Sequence, residues 1–222
     1  FLNVMEGVRE AEKGKVIFIS SGGAIYGEAS EYPTTENYRP IPLSPYAVAK
    51  EVAEKYLHYY KHQFGIDYTV LRYANVYGPR QIPHGEAGVV AIFMDRLISG
   101  KPCTINHFDD EPRGMLRDYC FVGDVARANL AALSSGNLEA CNIATSNPTH
   151  TLDLFNAVYR ALKEARPETD RSLGNPDTGA ARLGDIKQSC LVVDKAREVL
   201  GWEPQVDINE GIKKTLQWRL NK

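Results

Sequence analysis

The 222-residue sequence has no dominant charge: 26 lysines and arginines stand against 28 aspartates and glutamates, leaving −2 at neutral pH with histidines uncharged. That near-balance removes the electrostatic footprint of a nucleic-acid or membrane-surface binder. Long apolar runs are missing too. The longest, Val89 to Met94, falls far short of the roughly 20 residues a bilayer-spanning helix needs. No charged-then-apolar leader opens the chain, so a cytosolic protein without membrane partners is expected. Cysteine is scarce. Cys103, Cys120, Cys141 and Cys190 form no CxxC pair, which argues against a metal cluster or disulfide framework and predicts four small buried hydrophobes. An initiator methionine is also missing: Phe1-Leu2-Asn3 runs directly into a helical pattern at Val4, Val8 and Ala11, as if the start of a domain were cut off.

What is present suits a soluble globular protein, with 43% apolar and 24% charged residues. Residues 15–19, Lys-Val-Ile-Phe-Ile, read as a strand buried on both faces, ending in a Ser20-Ser21-Gly22-Gly23 turn. A proline-interrupted loop covers 33–45. Ser44-Pro45 then places an N-cap and a first-turn proline at the start of a helix that Gly65 stops. Tyr68–Tyr73 is a second apolar run, so strand, helix and strand follow one another as in a parallel α/β sheet. Helices are expected at 89–99, 124–133, 152–165, 194–200 and 209–220, and strands at 103–106, 117–122 and 140–144. Residues 166–187 are expected as loop.

Tyr46 and Lys50 lie at i, i+4 at the start of the capped helix, one turn apart on one face. An ammonium near a phenol favours the phenolate, drawing a tyrosine down from about 10 toward the working range and making it a general base. The spacing alone is common, as Tyr56 and Tyr60 in the same helix illustrate. Its context is less so. Upstream stands Ser20-Ser21-Gly22-Gly23-Ala24-Ile25-Tyr26-Gly27, at the carboxyl end of a buried strand where open α/β sheets bind ligands. Downstream come Leu71-Arg72-Tyr73-Ala74-Asn75-Val76-Tyr77-Gly78-Pro79-Arg80, then Arg117-Asp118-Tyr119, Val122-Gly123-Asp124, Cys141-Asn142-Ile143 and Arg182-Leu183-Gly184-Asp185. In this order the segments resemble the extended short-chain dehydrogenase/reductase family that acts on nucleotide sugars. The likeness is greatest to its UDP-glucose 4-epimerase branch, through Gly22-Gly23-Ala24-Ile25-Tyr26-Gly27 and Pro79-Arg80-Gln81-Ile82-Pro83-His84-Gly85-Glu86-Ala87-Gly88-Val89-Val90. Dehydratases of that family need an Asp-Glu pair in the strand-end turn and decarboxylases a Glu; Gly22-Gly23-Ala24 stands there instead.

The resemblance implies an α/β fold: a Rossmann-like doubly wound parallel sheet with its N-terminal strands missing, and a smaller mixed α/β substrate domain. Residues 1–78 with about 117–145 would form the remainder of the NAD-binding domain, and about 79–116 with 146–222 the nucleotide-sugar-binding domain. Tyr46 would be the base for the sugar 4-hydroxyl, with Lys50 holding the NAD ribose and Ser21 sharing the proton of the reacting oxygen. Many relatives carry that hydroxyl one position later, where this chain has Gly22. Ser20 and Tyr73 would lie on the cofactor side. Asn75, Arg117 and Arg182 would hold the diphosphate, Asp185 the nucleotide ribose, and the backbone of Val89 and Val90 the uracil. Ser189 stands where a bulky residue often crowds the sugar C2 substituent, so a 2-acetamido sugar could also fit. The partners implied are a UDP-sugar substrate and a second copy in a homodimer built on the helix at 45–64, whose tyrosines could equally serve the internal core.

Some features depart from the family or compete with this reading. The glycine-rich turn that receives a dinucleotide pyrophosphate is not found: Gly22, Gly23 and Gly27 are not followed by a helix. On the order of ninety residues, two to three βαβ units, are expected before Phe1. Asn106-His107 replaces an aromatic followed by glycine, which loosens the identity of the base. His84 has no His or Cys partner at ligand spacing, and Asp109-Asp110-Glu111 reads as a solvated loop. A nucleotide-sugar reductase keeping the same Tyr and Lys, and a sugar-nucleotide-binding fragment without catalysis, remain the competing readings.

Overall fold

The computed structural model describes residues 1–83 and 88–221. Helix α1 (Leu2–Ala11) leads into strand β1 (Lys15–Ser21), and a single helical turn, α2 (Gly22–Ile25), follows at once. After the proline-rich loop comes α3 (Pro45–Phe64). The Ser44 hydroxyl accepts from Ala47 N at 3.2 Å, Pro45 opens the first turn, and Gly65 closes the helix in the left-handed region at φ 73°, as its sequence predicts. Strand β2 (Asp67–Tyr73) returns parallel to β1, in register from Lys15 opposite Asp67 to Ser21 opposite Tyr73. The chain continues through β3 (Asn75–Tyr77), α4 (Val89–Ile98), β4 (Thr104–His107), β5 (Leu116–Phe121), α5 (Val122–Ser134), β6 (Ala140–Ile143), β7 (Pro148–His150), α6 (Thr151–Ala165), a 3₁₀ turn at Arg171–Gly174, β8 (Asp177–Ala180), β9 (Gln188–Ser189), α7 (Asp194–Leu200) and α8 (Ile208–Leu220).

Among the described residues three sheets form. The first runs β1-β2-β6, all parallel, and among the described residues β1 is paired on one side only. The second centres on β5, which takes β3 and β9 parallel and β7 antiparallel. A β4-β8 pair completes them. Apolar side chains fill between: Met5, Leu57, Tyr60, Ile66 and Val70 join α1 and α3 to the first sheet. Phe93, Met94, Leu154, Phe155, Val158, Ile212 and Leu216 pack α4, α6 and α8 together. All four cysteines are buried and unpaired.

The structure adds the short strands β3, β7 and β9 to the expected elements and amends them in two further respects. Residues 166–187 are not loop throughout, since they carry the 3₁₀ turn and β8, which is held by β4 rather than by any strand propensity of Asp-Thr-Gly-Ala. Gly22 and Gly23 are themselves helical, in the one turn of α2.

Candidate active site

The carboxyl ends of β1 and β2 open into a cavity of about 420 Å³. Its wall brings together Ser20, Ser21, Tyr46, Tyr73, Asn75, Val89 and Val90 from five separate elements. A second cavity, of about 460 Å³, holds Arg117, Arg182 and Asp185 along with Asn106 and Thr104. Asn75, Gly88, Val89 and Tyr119 belong to both walls, so the two spaces adjoin. Asn75 is exposed at that junction, on the short strand β3.

Tyr46 is 56% exposed, its ring standing free at the first turn of α3. One turn on, Lys50 reaches back to the sheet: its Nζ donates to the Ile19 carbonyl at 2.7 Å and sits 5.6 Å from the centre of the Tyr46 ring. Partial burial lowers the Lys50 ammonium from its ordinary range. Alternation along β1 sends its two serines to opposite sides. Ser20 is 2% exposed and its hydroxyl donates to Glu54 Oε1 at 2.5 Å. The expected contribution of Ser20 to cofactor binding therefore cannot come from its hydroxyl, only from the backbone it gives to the wall. The Ser21 hydroxyl makes no hydrogen bond to the described residues. At Gly22 a side chain like the hydroxyl found there in relatives would be crowded: a Cβ would lie 2.5 Å from Leu191 Cδ1 and 3.1 Å from the Arg72 carbonyl, so Leu191 would have to shift.

Tyr73 lies on the wall while its hydroxyl accepts from Asn129 Nδ2 of α5 at 2.5 Å. Arg117 is half-buried and donates to the Leu116 and Ile186 carbonyls, so two of its five N–H groups are occupied. Burial lowers its ionisation from the usual guanidinium range. Beside it Asp118 is fully buried and accepts from Thr145 N at 2.8 Å, Thr145 Oγ1 at 2.6 Å and Ser146 N at 3.0 Å. Those donors oppose, without cancelling, the upward push that burial gives its carboxyl. Arg182 is exposed, and its backbone N–H donates to Asp185 Oδ2 at 2.8 Å.

Ser189 is not brought to either wall; it is buried on β9 opposite Arg117. Asp110, in the acidic run, pairs with Lys187 at 2.5 Å. His84 and residues 85–87 of the quoted motif lie outside the described residues, and among the described residues no His, Cys, Asp and Glu grouping suits a metal ion. Two residues quoted in the motifs but given no role also line the site: Tyr119, between the two cavities, and Gln81, whose Nε2 donates to the Val76 carbonyl at 2.9 Å.

Residues 1–144 match the NAD dependent epimerase/dehydratase family. The chain belongs to that family. The UDP-glucose 4-epimerase of Mycolicibacterium smegmatis is 41% identical over 222 residues, covering 100% of this chain and 67% of the relative. Among solved structures, the UDP-glucose 4-epimerase of Thermotoga maritima with UDP-glucose superposes with a TM-score of 0.88 at 44% identity, covering 99% of this chain and 68% of that one. The Thermus thermophilus UDP-glucose 4-epimerase in complex with NAD gives 0.84 at 40% identity, covering 98% and 68%. This epimerase/dehydratase chain thus spans about two thirds of the length of its relatives and shares their α/β fold with a parallel sheet.

Proposed function

We propose that this chain carries the sugar-binding and proton-transferring part of an NAD-dependent nucleotide-sugar 4-epimerase that interconverts UDP-glucose and UDP-galactose. The observation that carries the reading is the pair of adjoining cavities: Tyr46 and Ser21 in one, Arg117, Arg182 and Asp185 in the other, with Asn75 between. A reacting sugar joined through a diphosphate to a nucleoside has that same sequence of chemical groups. The similarity to UDP-glucose 4-epimerases over 220 residues or more supports the choice of sugar.

The residues at the first cavity fit the nicotinamide-ribose end of NAD: an exposed phenol and the backbone end of β1 line it where a parallel sheet offers its carboxyl edge, and the half-buried Lys50 ammonium sits just behind that wall on the Ile19 carbonyl. NAD, when bound there, supplies a reversible acceptor for the hydride of the sugar C4. Tyr46 Oη takes the proton of the 4-hydroxyl and later returns one. Lys50, anchored on Ile19, holds the ribose and keeps positive charge beside the phenol. Ser21 hydrogen-bonds the reacting oxygen. Arg117 and Arg182 bind the diphosphate as guanidinium forks, leaving the sugar room to present either face. Asn75 adds its amide to the diphosphate, Asp185 accepts from the nucleotide ribose, and Val89 and Val90 offer backbone to the base; Ser189, buried on β9 off both walls, has no place beside the sugar C2. Residues 1–78 with 117–145 form the cofactor side, and 79–116 with 146–222 the nucleotide-sugar side.

α3 shows Val48, Val52, Tyr56 and Tyr59 to solvent at helical spacing, which supports a homodimer through that helix.

The test is to supply the full-length protein with NAD and UDP-galactose and follow UDP-glucose. Equilibration of the two without net NADH formation supports the reading. Release of a reduced sugar at the expense of NADPH would replace it with the reductase, and tight UDP-sugar binding without turnover would replace it with a binding module.

A further inference from the structure

Glu54, one helical turn beyond Lys50, joins the reacting helix to two strands of the sheet at once. Its carboxylate accepts from Ser20 Oγ at 2.5 Å on β1, and from Arg72 Nε at 3.2 Å and Nη2 at 2.6 Å on β2. The two charged side chains are only 10% and 12% exposed. Arg72 continues the chain of contacts inward, donating through Nη1 to Tyr26 Oη at 2.9 Å, and Tyr26 donates in turn to Asn142 Oδ1 on β6 at 2.9 Å. Burial holds Tyr26 neutral, its hydroxyl pushed up to about 12, so it can accept from one neighbour and donate to the other. One connected polar network therefore spans all three strands of the first sheet, and its outermost member is on α3.

Among the described residues the other hydrogen bond between α3 and β1 is the one from Lys50 to the Ile19 carbonyl, made by a long flexible side chain. A point charge on a four-carbon stem can stay on its acceptor while the helix slides or rotates. A short carboxylate gripped by three donors cannot.

We propose that Glu54 is a positioning residue: its clamp on Ser20 and Arg72 sets how α3 lies on the sheet end, and through it where Tyr46 and Lys50 stand relative to Ser21. The catalytic part of this inference rests on the epimerase reading. The geometric part does not.

Breaking a buried ion pair by removing one partner strands the other charge and destabilises any fold, so single truncation cannot distinguish support from positioning. The discriminating variant is Glu54→Met/Arg72→Met, which removes both charges and fills their volume. Its expected behaviour in the full-length protein is a melting temperature near that of the wild type, a kcat at least tenfold lower, and a KM for UDP-galactose within threefold, because Arg117 and Arg182 sit on other elements. Amide hydrogen exchange at residues 46–50 should quicken several-fold while α6 stays unchanged. Recovery of kcat together with melting temperature would overturn the proposal, leaving a purely structural pair. Should the double variant not fold, the near-isosteric Glu54→Gln decides. It keeps an acceptor for Ser20 but loses the charge that holds Arg72, so a three- to tenfold fall in kcat and faster exchange at 46–50 support the clamp, and wild-type values for both overturn it. If the wild type turns over no nucleotide sugar, the epimerase reading fails, and the exchange measurement alone still decides whether Glu54 fixes α3.

Discussion

The hydroxyl end of Tyr77 occupies the space that a side chain at position 211 would need. A Cβ on Gly211 would stand 2.7 Å from Tyr77 Cζ and closer still to its oxygen, so α8 can approach β3 only as glycine. Gly211→Ala should cost about 1–3 kcal/mol, the usual range for overpacking a core, measurable as a lower urea midpoint. The Tyr77 hydroxyl is buried with no hydrogen-bond partner among the described residues. Tyr77→Phe should therefore be nearly neutral, and combining it with Gly211→Ala should recover part of the loss. A Gly211→Ala protein as stable as the wild type would show that α8 simply shifts.

Tyr46→Phe should lower epimerisation by about 10²–10⁴-fold, the range for loss of a positioned acid–base group. Calorimetric binding of UDP-glucose should stay within about threefold, since the arginines proposed to hold the diphosphate line the adjoining cavity. An active Phe variant would remove Tyr46 from the mechanism.

For Arg117→Ala and Arg182→Ala the opposite split is expected. Each charge-assisted bond to a phosphate is worth about 1.5–3 kcal/mol, which corresponds to roughly 10- to 100-fold weaker UDP affinity in titration. Of the two, Arg117→Ala should also lower stability, because its guanidinium ties β5 to the Ile186 carbonyl. Unchanged affinity in either variant would take that arginine out of the nucleotide site.

The four thiols should be silent in the folded state. Burial pushes Cys103 and Cys141 up to about 11 and Cys190 up to about 12, and Cys120 higher still. Near pH 8 the thiolate fraction is on the order of one in a thousand or less. A chromogenic disulfide reagent should count close to no thiols in native protein and four after guanidinium. Rapid native labelling would place a cysteine at an opening the packing does not have.

A charge on the exposed stripe of α3 tests the proposed homodimer. Val52→Glu or Tyr56→Glu should turn a dimer into a monomer in sedimentation velocity, because an unpaired carboxylate is not tolerated in a buried apolar contact. A wild-type monomer at tens of micromolar would end the idea.

Elements with strong local signals were legible from the residues. Ser44-Pro45 and Gly65 mark both ends of α3, and two runs of β-branched residues mark β1 and β2. The pieces that were not legible form through partners distant in sequence. β9 is two residues long, β7 begins with a proline, and β8 is Asp-Thr-Gly-Ala; each exists because a neighbouring strand supplies its hydrogen bonds. Resemblance marked out Tyr46 and the arginines and so reached the cavity walls, but it assigned no role to Tyr119 and did not reach Glu54. A usable signal for the clamp was present: Arg72 is a charge inside a buried strand, and such a charge requires a partner. Ser20 illustrates the reverse limit. Its motif position suggested a cofactor contact, but alternation along β1 turned its hydroxyl to Glu54.

Strand β1 has an uncommitted side. Lys-Val-Ile-Phe-Ile-Ser-Ser is an extended strand with an apolar centre, and on its outward side no other strand pairs with it among the described residues. Such a rim is a template for any extended segment that encounters it, including the same segment of another molecule. Self-association of these 222 residues is therefore expected to start at Lys15–Ser21, the same strand whose carboxyl end lines the cavity with Tyr46 and Tyr73.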